Sequence, residues 1–414
     1  MRIATHLLAL PFLVASTGRL VSAAHPVATT TRAEAESTTV SVRWNRLVPT
    51  FVEENTAGRR AARAAATAAG DSAALRRLAQ SPPPFLFRVY ALLSVAQYGA
   101  VKSAQGNSAA SSGAAIAAAS AAVLTDIFTD SAVRASIARE LAKDLDRSGS
   151  GSRSSAGRRL GEDVARRVIT NAPPPIQMIG PWNGTIPTGP GMWYSAKGVP
   201  PIGILIAQAH PWLLDSVSQF RPAPPPAFGS TTFQSALEEV KRVARNRTAE
   251  QTRIAQLWNS GDPWARWNEV ASDALRRHHF SEAEAARVLA VLNVGATDAI
   301  IACFDAKYHY WTIRPSQADT TIALADSVSL PNFPSYPSGH ACSAGAFDGV
   351  LGSYFSEDRA EFRRIAEEQA MSRLYGGIHY RFDNDGGLAL GRIVARYDVE
   401  RERQGKLNAW SGAR

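Results

Sequence analysis

The chain has 414 residues, of which 45% are hydrophobic and 20% charged, a globular composition long enough for one large domain or two smaller ones. Its formal net charge is +9, but the Arg and Lys residues are dispersed beside acids, as in Glu400-Arg401-Glu402-Arg403. Because there is no dense basic tract with interleaved aromatic residues, we expect no nucleic-acid partner.

The N-terminus has the pattern of a secretory signal peptide. Arg2 supplies a positive charge, residues 7–14 are apolar but too few to span a bilayer, and Val21-Ser22-Ala23 fits a small-residue cleavage site. We predict a signal peptide over 1–23, a flexible segment over 24–40 and a secreted or periplasmic protein. The alternative is a buried N-terminal helix. No later stretch reaches about 18 uninterrupted apolar residues, so we expect no transmembrane segment.

The remaining residues, 41–414, show helical periodicity without a series of alternating strands, which predicts a single all-α domain of helical-bundle type. Residues 171–229 interrupt the pattern, since they are rich in Pro, Gly and Trp and should be irregular and either functional or wrapped over the surface. The helices we expect are 42–54 with a break or kink at Pro49, 58–69, 85–101, 121–145, 161–170, 232–276 with an interruption near Gly261, 281–311, and two more after Pro337.

The first of three candidate motifs pairs two cations. Lys307 and Arg314 are seven residues apart, so a helix through both would place them on one face, and Pro315 predicts that the helix ends there. Arg314 could then turn its planar guanidinium onto two oxygens at once, with Lys307 as a point charge. Taken alone, this motif also fits two ordinary cations on a solvated face.

The second motif is Ser338-Gly339-His340, which follows the extended lead-in Pro334-Ser-Tyr-Pro337 and predicts the start of a helix. A helix N-terminus presents free N–H groups and positive dipole to an anion. Ser338 would add a hydroxyl, and Gly339 would let an oxygen approach the backbone. Ser338 could equally serve only as the cap of the helix.

The third motif contains Arg373, His379 and Asp383. His379 and Asp383 stand at i and i+4, which predicts one helical face on which Asp383 accepts from the imidazole. Gly376-Gly377 should loosen or break the preceding helix, and Arg373 adds a second guanidinium. A structural His–Asp pair is the alternative for this motif alone.

Together the motifs lie within 300–390 and supply three cations, a hydroxyl, a glycine amide, two imidazoles and a carboxylate, a set suited to a tetrahedral oxyanion. Their order and spacing resemble the superfamily of vanadium haloperoxidases and type 2 phosphatidic acid phosphatases. Flanking segments such as 334–337 and Phe382-Asp383 resemble its bacterial haloperoxidase-like branch. The resemblance extends over roughly residues 85–398. It implies an all-α fold of two four-helix bundles, with the site in one of them.

For a haloperoxidase, the resemblance implies vanadate as the cofactor and His379 as the ligand of vanadium. His340 would be the acid–base, Asp383 would orient His379, and Lys307 would polarise the bound oxidant. Hydrogen peroxide would then oxidise a halide to a hypohalous acid-type species that halogenates small organic substrates. The residues implied to hold the oxygens of vanadate are Lys307, Arg314, Ser338, Gly339 and Arg373.

Two aromatic residues are candidates for the halide or substrate pocket, Phe333 and Trp311. Phe333 occupies the position that resembles the phenylalanine of the fungal chloroperoxidase branch. For both residues, simple packing in the core is the alternative.

The same residues suit phosphate-ester hydrolysis, which is the second candidate function. His379 would attack phosphorus to form a phosphohistidine, His340 would protonate the leaving group, and phosphate could occupy the same site as vanadate. The third candidate is an oxyanion-binding protein without catalysis. The resemblance is also compatible with a homodimer, for which residues 171–229 could wrap a partner. The two cysteines, Cys303 and Cys342, could meet as a disulfide or remain separate buried thiols.

Overall fold

The computed structural model describes residues 39–80, 84–175, 182–195, 199–260 and 262–412. The predicted signal peptide 1–23 and most of the predicted flexible segment lie outside these ranges. The side chain of Thr39 caps the first helix by accepting from Val42 N at 3.4 Å, and that helix begins at Val40. The helical region therefore starts one residue before the predicted boundary at 41.

The described residues form fifteen α-helices and one short 3₁₀ helix, Ile206–Gln208, and none of them belongs to a named strand. The α-helices are α1 (Val40–Ala68), α2 (Ser72–Gln80), α3 (Leu86–Gln105), α4 (Ser112–Ile127), α5 (Ser131–Arg147), α6 (Ser152–Asn171), α7 (Thr231–Arg245), α8 (Ala249–Ser260), α9 (Pro263–Arg277), α10 (Glu282–Tyr310), α11 (Pro315–Ala318), α12 (Gly339–Tyr354), α13 (Arg359–Tyr375), α14 (Arg381–Arg403) and α15 (Asn408–Ser411).

The helices pack as two groups that share one central helix. Helices α1, α3, α4 and α6 form the first group, and α12, α13 and α14 pack with α10 to form the second. Helix α10 also packs against α3, so it lies between the groups. The predicted all-α, bundle-type fold is therefore confirmed.

Helix α10 is the buried axis of the fold. By length and composition it is the one described helix that could cross a membrane, with a mean hydropathy of 1.7 over its most apolar window, but 94% of that window is buried inside the protein. Its N-terminus has the predicted capping box, in which Ser281 and Glu284 bond each other's backbone N–H.

Close contact between α12 and α14 positions the site at their N-termini. Gly391 faces the Cys342 carbonyl so closely that an added Cβ would lie 2.1 Å from its oxygen, and Gly345 meets Leu388 in the same way. With these backbones in contact, Ser338 N donates to Asp383 O at 2.9 Å. The second and third motifs are thereby brought together.

Several predicted helix boundaries were wrong. Pro49 neither breaks α1 nor ends it, because the buried residues Trp44, Val48 and Phe51 hold one continuous apolar face across the proline. The predicted helix 121–145 is two helices, since α4 ends at Ile127 and Asp130 caps α5 through Ala132 N at 2.8 Å. Helix α6 begins at Ser152, before the predicted start at 161.

Residues 199–229 are irregular apart from the 3₁₀ turn, as predicted, and they wrap over α10 of the same chain. Arg221 makes a two-pronged ion pair with Asp305 on α10, at 2.8 Å for each nitrogen. Tyr310 donates to Pro222 O at 2.6 Å. This segment therefore covers the end of α10 that leads into the candidate site.

Candidate oxyanion site

His379 and Asp383 are in contact, but across the start of a helix rather than along one helical face. Helix α13 ends at Tyr375, Gly377 turns the chain with φ of +80°, and α14 begins only at Arg381. Asp383, in the first turn of α14, reaches back so that its Oδ2 lies 2.9 Å from His379 Nδ1. The carboxylate accepts, so Nδ1 carries the proton and Nε2 keeps its lone pair.

The electrostatics of this pair keep the imidazole neutral. Burial, together with Arg314 and Lys307, lowers the pKa of His379 well below its usual value. Burial raises the pKa of Asp383 to about 6, while the hydrogen bond from Ser335 and the charge of Lys307 oppose that rise. A neutral, oriented imidazole whose Nε2 keeps its lone pair is the form that can ligate a metal or attack phosphorus.

Ser335 was not among the predicted site residues. Its hydroxyl donates to Asp383 Oδ2 at 2.5 Å, and Tyr380 N donates to the same oxygen at 3.0 Å. Ser335 lies in the Pro334-to-Pro337 lead-in, close to Ser338 in the sequence. This proximity could have indicated a role in the site, but a serine alone did not. It fixes the carboxylate that orients His379.

Arg314 lies beside His379, although not on α10 as predicted. Helix α10 ends at Tyr310, and Trp311 adopts a left-handed conformation with φ of 50°, so Arg314 is extended before Pro315. Its Nε donates to Phe333 O and its Nη1 to Ile378 O, both at 2.8 Å, and Nη1 is 3.4 Å from His379 Nε2. Its fully buried Nη2 has no hydrogen-bond partner among the described residues.

Lys307 is completely buried and its ammonium is saturated by the chain itself. Its Nζ donates to the carbonyl oxygens of Pro334, Ser335 and Pro337 at 3.1, 2.8 and 2.5 Å. These three bonds use all its donors, so Lys307 would have to release one carbonyl to bond an anion directly. Burial, with a contribution from Arg314, lowers the pKa of Lys307 to about 8. It therefore supplies charge and holds the 334–337 loop.

The second motif begins α12 as predicted. Ser338 is the N-cap residue by position, yet its buried Oγ caps nothing and has no partner among the described residues. A Cβ added to Gly339 would meet no atom within 4 Å, so open space lies beside this backbone. An unsatisfied hydroxyl next to open space at a helix N-terminus is the arrangement expected of an anion site.

His340 is half-buried, and its Nε2 lies 3.2 Å from the Trp258 carbonyl oxygen on α8. A carbonyl only accepts, so Nε2 donates and Nδ1 holds the lone pair in the neutral ring. Burial and the charge of Arg373 lower the pKa of His340 well below its usual value. His340 is therefore a proton acceptor in the absence of an anion.

Arg373 on α13 completes the donor set. Its Nη2 donates to Asn259 Oδ1 at 3.2 Å, whereas Nε and Nη1 are buried and lack partners in the described chain. Asn259 and Trp258 were not predicted, because nothing in the sequence links α8 to Arg373 or His340, which lie 114 and 82 residues further along the chain. Helix α8 forms a wall that holds both Arg373 and His340.

The two pocket candidates differ in their surroundings. The Phe333 ring packs against both cations of the first motif, 5.1 Å from Lys307 Nζ and 4.9 Å from Arg314 Cζ. Trp311 belongs to an aromatic cluster with Tyr308, Trp182 and Trp193, at ring separations of 5.0, 6.1 and 6.0 Å. Phe333 thus borders the site, while Trp311 lies in the layer outside it.

The site carries more positive than negative charge, which favours the binding of an anion. Lys307, Arg314 and Arg373 are buried cations, and the two histidines are neutral. Within the described ranges, Asp383 is the one carboxylate in contact with these groups. Buried charges without partners are costly, and so are unpaired donors. Four buried donor atoms of the site have no acceptor among the described residues: Arg314 Nη2, Arg373 Nε, Arg373 Nη1 and Ser338 Oγ. Vanadate fits this set, since its oxygens accept hydrogen bonds and its metal can take the Nε2 lone pair.

The region of the chain that contains the three motifs matches a known protein family. Residues 276–400 match the family model described as PAP2 superfamily. The vanadium-dependent bromoperoxidase of Ascophyllum nodosum is 32% identical over 101 residues, a match covering 17% of this chain and 18% of that protein. The match thus spans less than a fifth of the length of that relative.

The fold resembles crystal structures of bacterial vanadium-dependent enzymes. An iodoperoxidase aligns with a TM-score of 0.63 and 24% identity over 77% of this chain and 91% of its own. An apo-type chloroperoxidase aligns with a TM-score of 0.61 and 12% identity over 79% and 95%. At these identities the likeness shows the fold. Residues 276–400 thus carry the match to the PAP2 superfamily, and the chain has the fold of the vanadium haloperoxidases.

Proposed function

We propose that the protein is a vanadate-dependent haloperoxidase that uses hydrogen peroxide to oxidise a halide to a hypohalous acid-type species. The observation that carries this proposal is the group of unpaired buried donors beside His379 Nε2, in a pocket with excess positive charge. The choice of halide oxidation is supported by the likeness to a bromoperoxidase, an iodoperoxidase and a chloroperoxidase.

The residues that would hold vanadate follow from their free atoms. His379 Nε2 would bind the metal, since Asp383 fixes the proton on Nδ1. The free nitrogens of Arg314 and Arg373, the Ser338 hydroxyl and the Gly339 amide would bond the oxygens. When bound, vanadium(V) would supply a Lewis acid that makes peroxide electrophilic.

His340 is the proton carrier in this proposal. Its Nε2–H is held by the Trp258 carbonyl, so the proton exchanged with peroxide or water passes through Nδ1. The depressed pKa of His340 rises when an anion offsets Arg373 and Lys307, which brings the imidazole nearer the working pH. Proton uptake at His340 is then coupled to occupation of the site.

Lys307 and Phe333 would act on the oxidant and the halide. Lys307 places a full charge in a water-poor pocket, where it strengthens the polarisation of a bound oxidant even with its donors on carbonyls. The Phe333 ring covers this charge and that of Arg314, and so limits how water and halide reach them. The organic substrate would be halogenated by the released species.

The test is the bromination of a phenol-type dye after addition of orthovanadate, peroxide and bromide to vanadate-free protein. We expect turnover that depends on vanadate and is lost in His379→Ala. In parallel, hydrolysis of an aryl phosphate is measured with and without vanadate. Phosphatase activity that vanadate inhibits, without bromination, would overturn the proposal in favour of phosphohistidine chemistry at the same histidine.

A further inference from the structure

Two buried thiols lie directly behind the oxyanion site and have no part in the proposed mechanism. Cys303 on α10 and Cys342 on α12 are both free and both inaccessible to solvent. Each influences the ionisation of the other, and both lie beside the Pro337-Ser338 backbone. We propose that they form an oxidisable dithiol site, whose disulfide joins α10 to α12 and weakens oxyanion binding.

The thiols are connected to the site through its own backbone. Cys303 Sγ donates to Pro337 O at 3.7 Å, and the same carbonyl oxygen accepts from Lys307 Nζ. Cys303 precedes Lys307 by one helical turn, and Cys342 N donates to Ser338 O at 2.9 Å, one turn after Ser338. Each cysteine is thus one turn from a residue of the proposed site.

The surroundings make the two sulfurs unequal. Burial opposes ionisation of both, but the hydrogen bond from Cys342 and the charge of Lys307 bring the pKa of the Cys303 thiol below its usual value. Burial and the neighbouring Cys303 raise the pKa of Cys342 well above its usual value. Cys303 is therefore the attacking thiolate and Cys342 the resolving thiol.

Hydrogen peroxide is the oxidant, the same molecule that the proposed function brings to this pocket. The Cys303 thiolate attacks one peroxide oxygen, the O–O bond breaks, and hydroxide leaves to give a sulfenic acid. The Cys342 sulfur then attacks the Cys303 sulfur, the S–O bond breaks, and water leaves with the Cys342 proton. Two thiols lose two electrons in total, and one peroxide becomes two waters.

Formation of the disulfide should disturb the oxyanion site because α12 cannot move freely toward α10. The S–S bond is about 2.05 Å long, shorter than any contact between separate thiols. On the far side, α12 is held against α14 at Gly391, where an added Cβ would lie 2.1 Å from Cys342 O. The turn from Cys303 to Lys307 must therefore move, together with the carbonyl at Pro337. We expect the displacement of these groups in a preorganised site to lower the affinity for the anion about tenfold.

The experiment uses the full-length protein and needs no halide. Reduced protein is treated with hydrogen peroxide, denatured and alkylated, and its intact mass and cysteine peptides are measured. We expect one intramolecular disulfide with a loss of about 2 Da, reversed by dithiothreitol, and none in Cys303→Ser or Cys342→Ser. Cysteines that remain alkylatable, or that oxidise only to sulfinic and sulfonic acids, would overturn the dithiol site.

Binding of orthovanadate and of inorganic phosphate to reduced and oxidised protein tests the coupling. We expect about tenfold weaker binding after oxidation, restored by reduction, with peroxide-treated Cys342→Ser unaffected. A disulfide that leaves both affinities unchanged would refute the coupling. Reduced protein that binds neither anion would count against the coupling and against the proposed function, whereas the crosslink is judged by alkylation alone.

Discussion

The Nδ1 atom of His379 lies 2.9 Å from Oδ2 of Asp383, and this contact spans the start of α14 instead of following a helical face. The same carboxylate oxygen also accepts from Ser335 Oγ and Tyr380 N. The imidazole is therefore fixed in rotation and in tautomer before any ligand binds. Its Nε2 faces Arg314 Nη1 at 3.4 Å, at the edge of the unpaired donors.

Replacing Asp383 by Asn should weaken vanadate binding about 10- to 100-fold, because the amide cannot hold the Nδ1–H tautomer as the carboxylate does. The measurement is the dissociation constant of orthovanadate by calorimetry. Asp385→Asn is the matched control, since Asp385 lies two residues further along the same helix and is exposed. Equal affinities in the two variants would contradict the orienting role of Asp383.

Removing the partner of Arg373 should weaken anion binding without unfolding the protein. In Asn259→Leu, Arg373 Nη2 loses its acceptor on α8, and the guanidinium is no longer aimed by that helix. We expect phosphate and vanadate to bind about tenfold more weakly, which corresponds to about 1.4 kcal/mol. The exposed Asn246→Leu is the control. Unchanged binding in Asn259→Leu, with a circular dichroism spectrum like that of the native protein, would show that α8 does not position Arg373.

Ser335→Ala should shift the acid limb of activity toward higher pH. Burial raises the pKa of Asp383 to about 6, and the Ser335 hydrogen bond counteracts this by favouring the carboxylate. Without that bond the pKa of Asp383 rises further, so the carboxylate that orients His379 is lost at a higher pH. The measurement is the initial rate from pH 5 to 8, with the exposed Ser353→Ala as control. An acid limb that stays in place or moves to lower pH would rule out this role of Ser335.

A buried pair of carboxyl groups, Asp298 and Asp398, should limit stability at neutral pH. Asp398 is fully buried and both its oxygens lack partners in the described chain, and burial with the nearby Asp298 raises its pKa well above the usual value. A raised carboxyl pKa means that the folded protein holds a proton that the unfolded chain releases. Stability is therefore lost as pH rises from about 4 to the folded pKa, and the loss is absent below that window.

Asp398→Asn removes that loss, so it should stabilise the protein by on the order of 2 kcal/mol at pH 8 and by little near pH 4. Chemical denaturation of the native protein and the variant at both pH values measures the difference. A variant that is less stable than the native protein at pH 8 would show that the Asp398 carboxylate is compensated in the fold.

The candidate site residues could be proposed from the sequence because they lie in three short segments with fixed spacing. The geometry of the site was harder to predict from the sequence. The i, i+4 spacing correctly paired His379 with Asp383, but for the wrong reason. Pro315 predicted that the helix ends at Arg314, whereas α10 ends at Tyr310, so Arg314 lies outside the helix. Local spacing predicts which residues meet, but loop conformation decides how.

Contacts over long sequence separation could not be predicted. Trp258 and Asn259 reach the site only because α8 packs against α13, and neither residue type signals such a role. Pro49 shows the converse, since a local helix breaker is tolerated where a buried face carries the helix through it. Tertiary packing decided both outcomes.

The most direct measurement of the central claim is a titration of vanadate-free protein with orthovanadate, with bromide oxidation by peroxide and aryl-phosphate hydrolysis followed in the same samples. We expect bromide oxidation to rise and saturate as vanadate fills the site around His379, and His379→Ala to show no such rise. Absence of bromide oxidation at every vanadate concentration, with phosphate-ester hydrolysis that falls as vanadate is added, would contradict the claim.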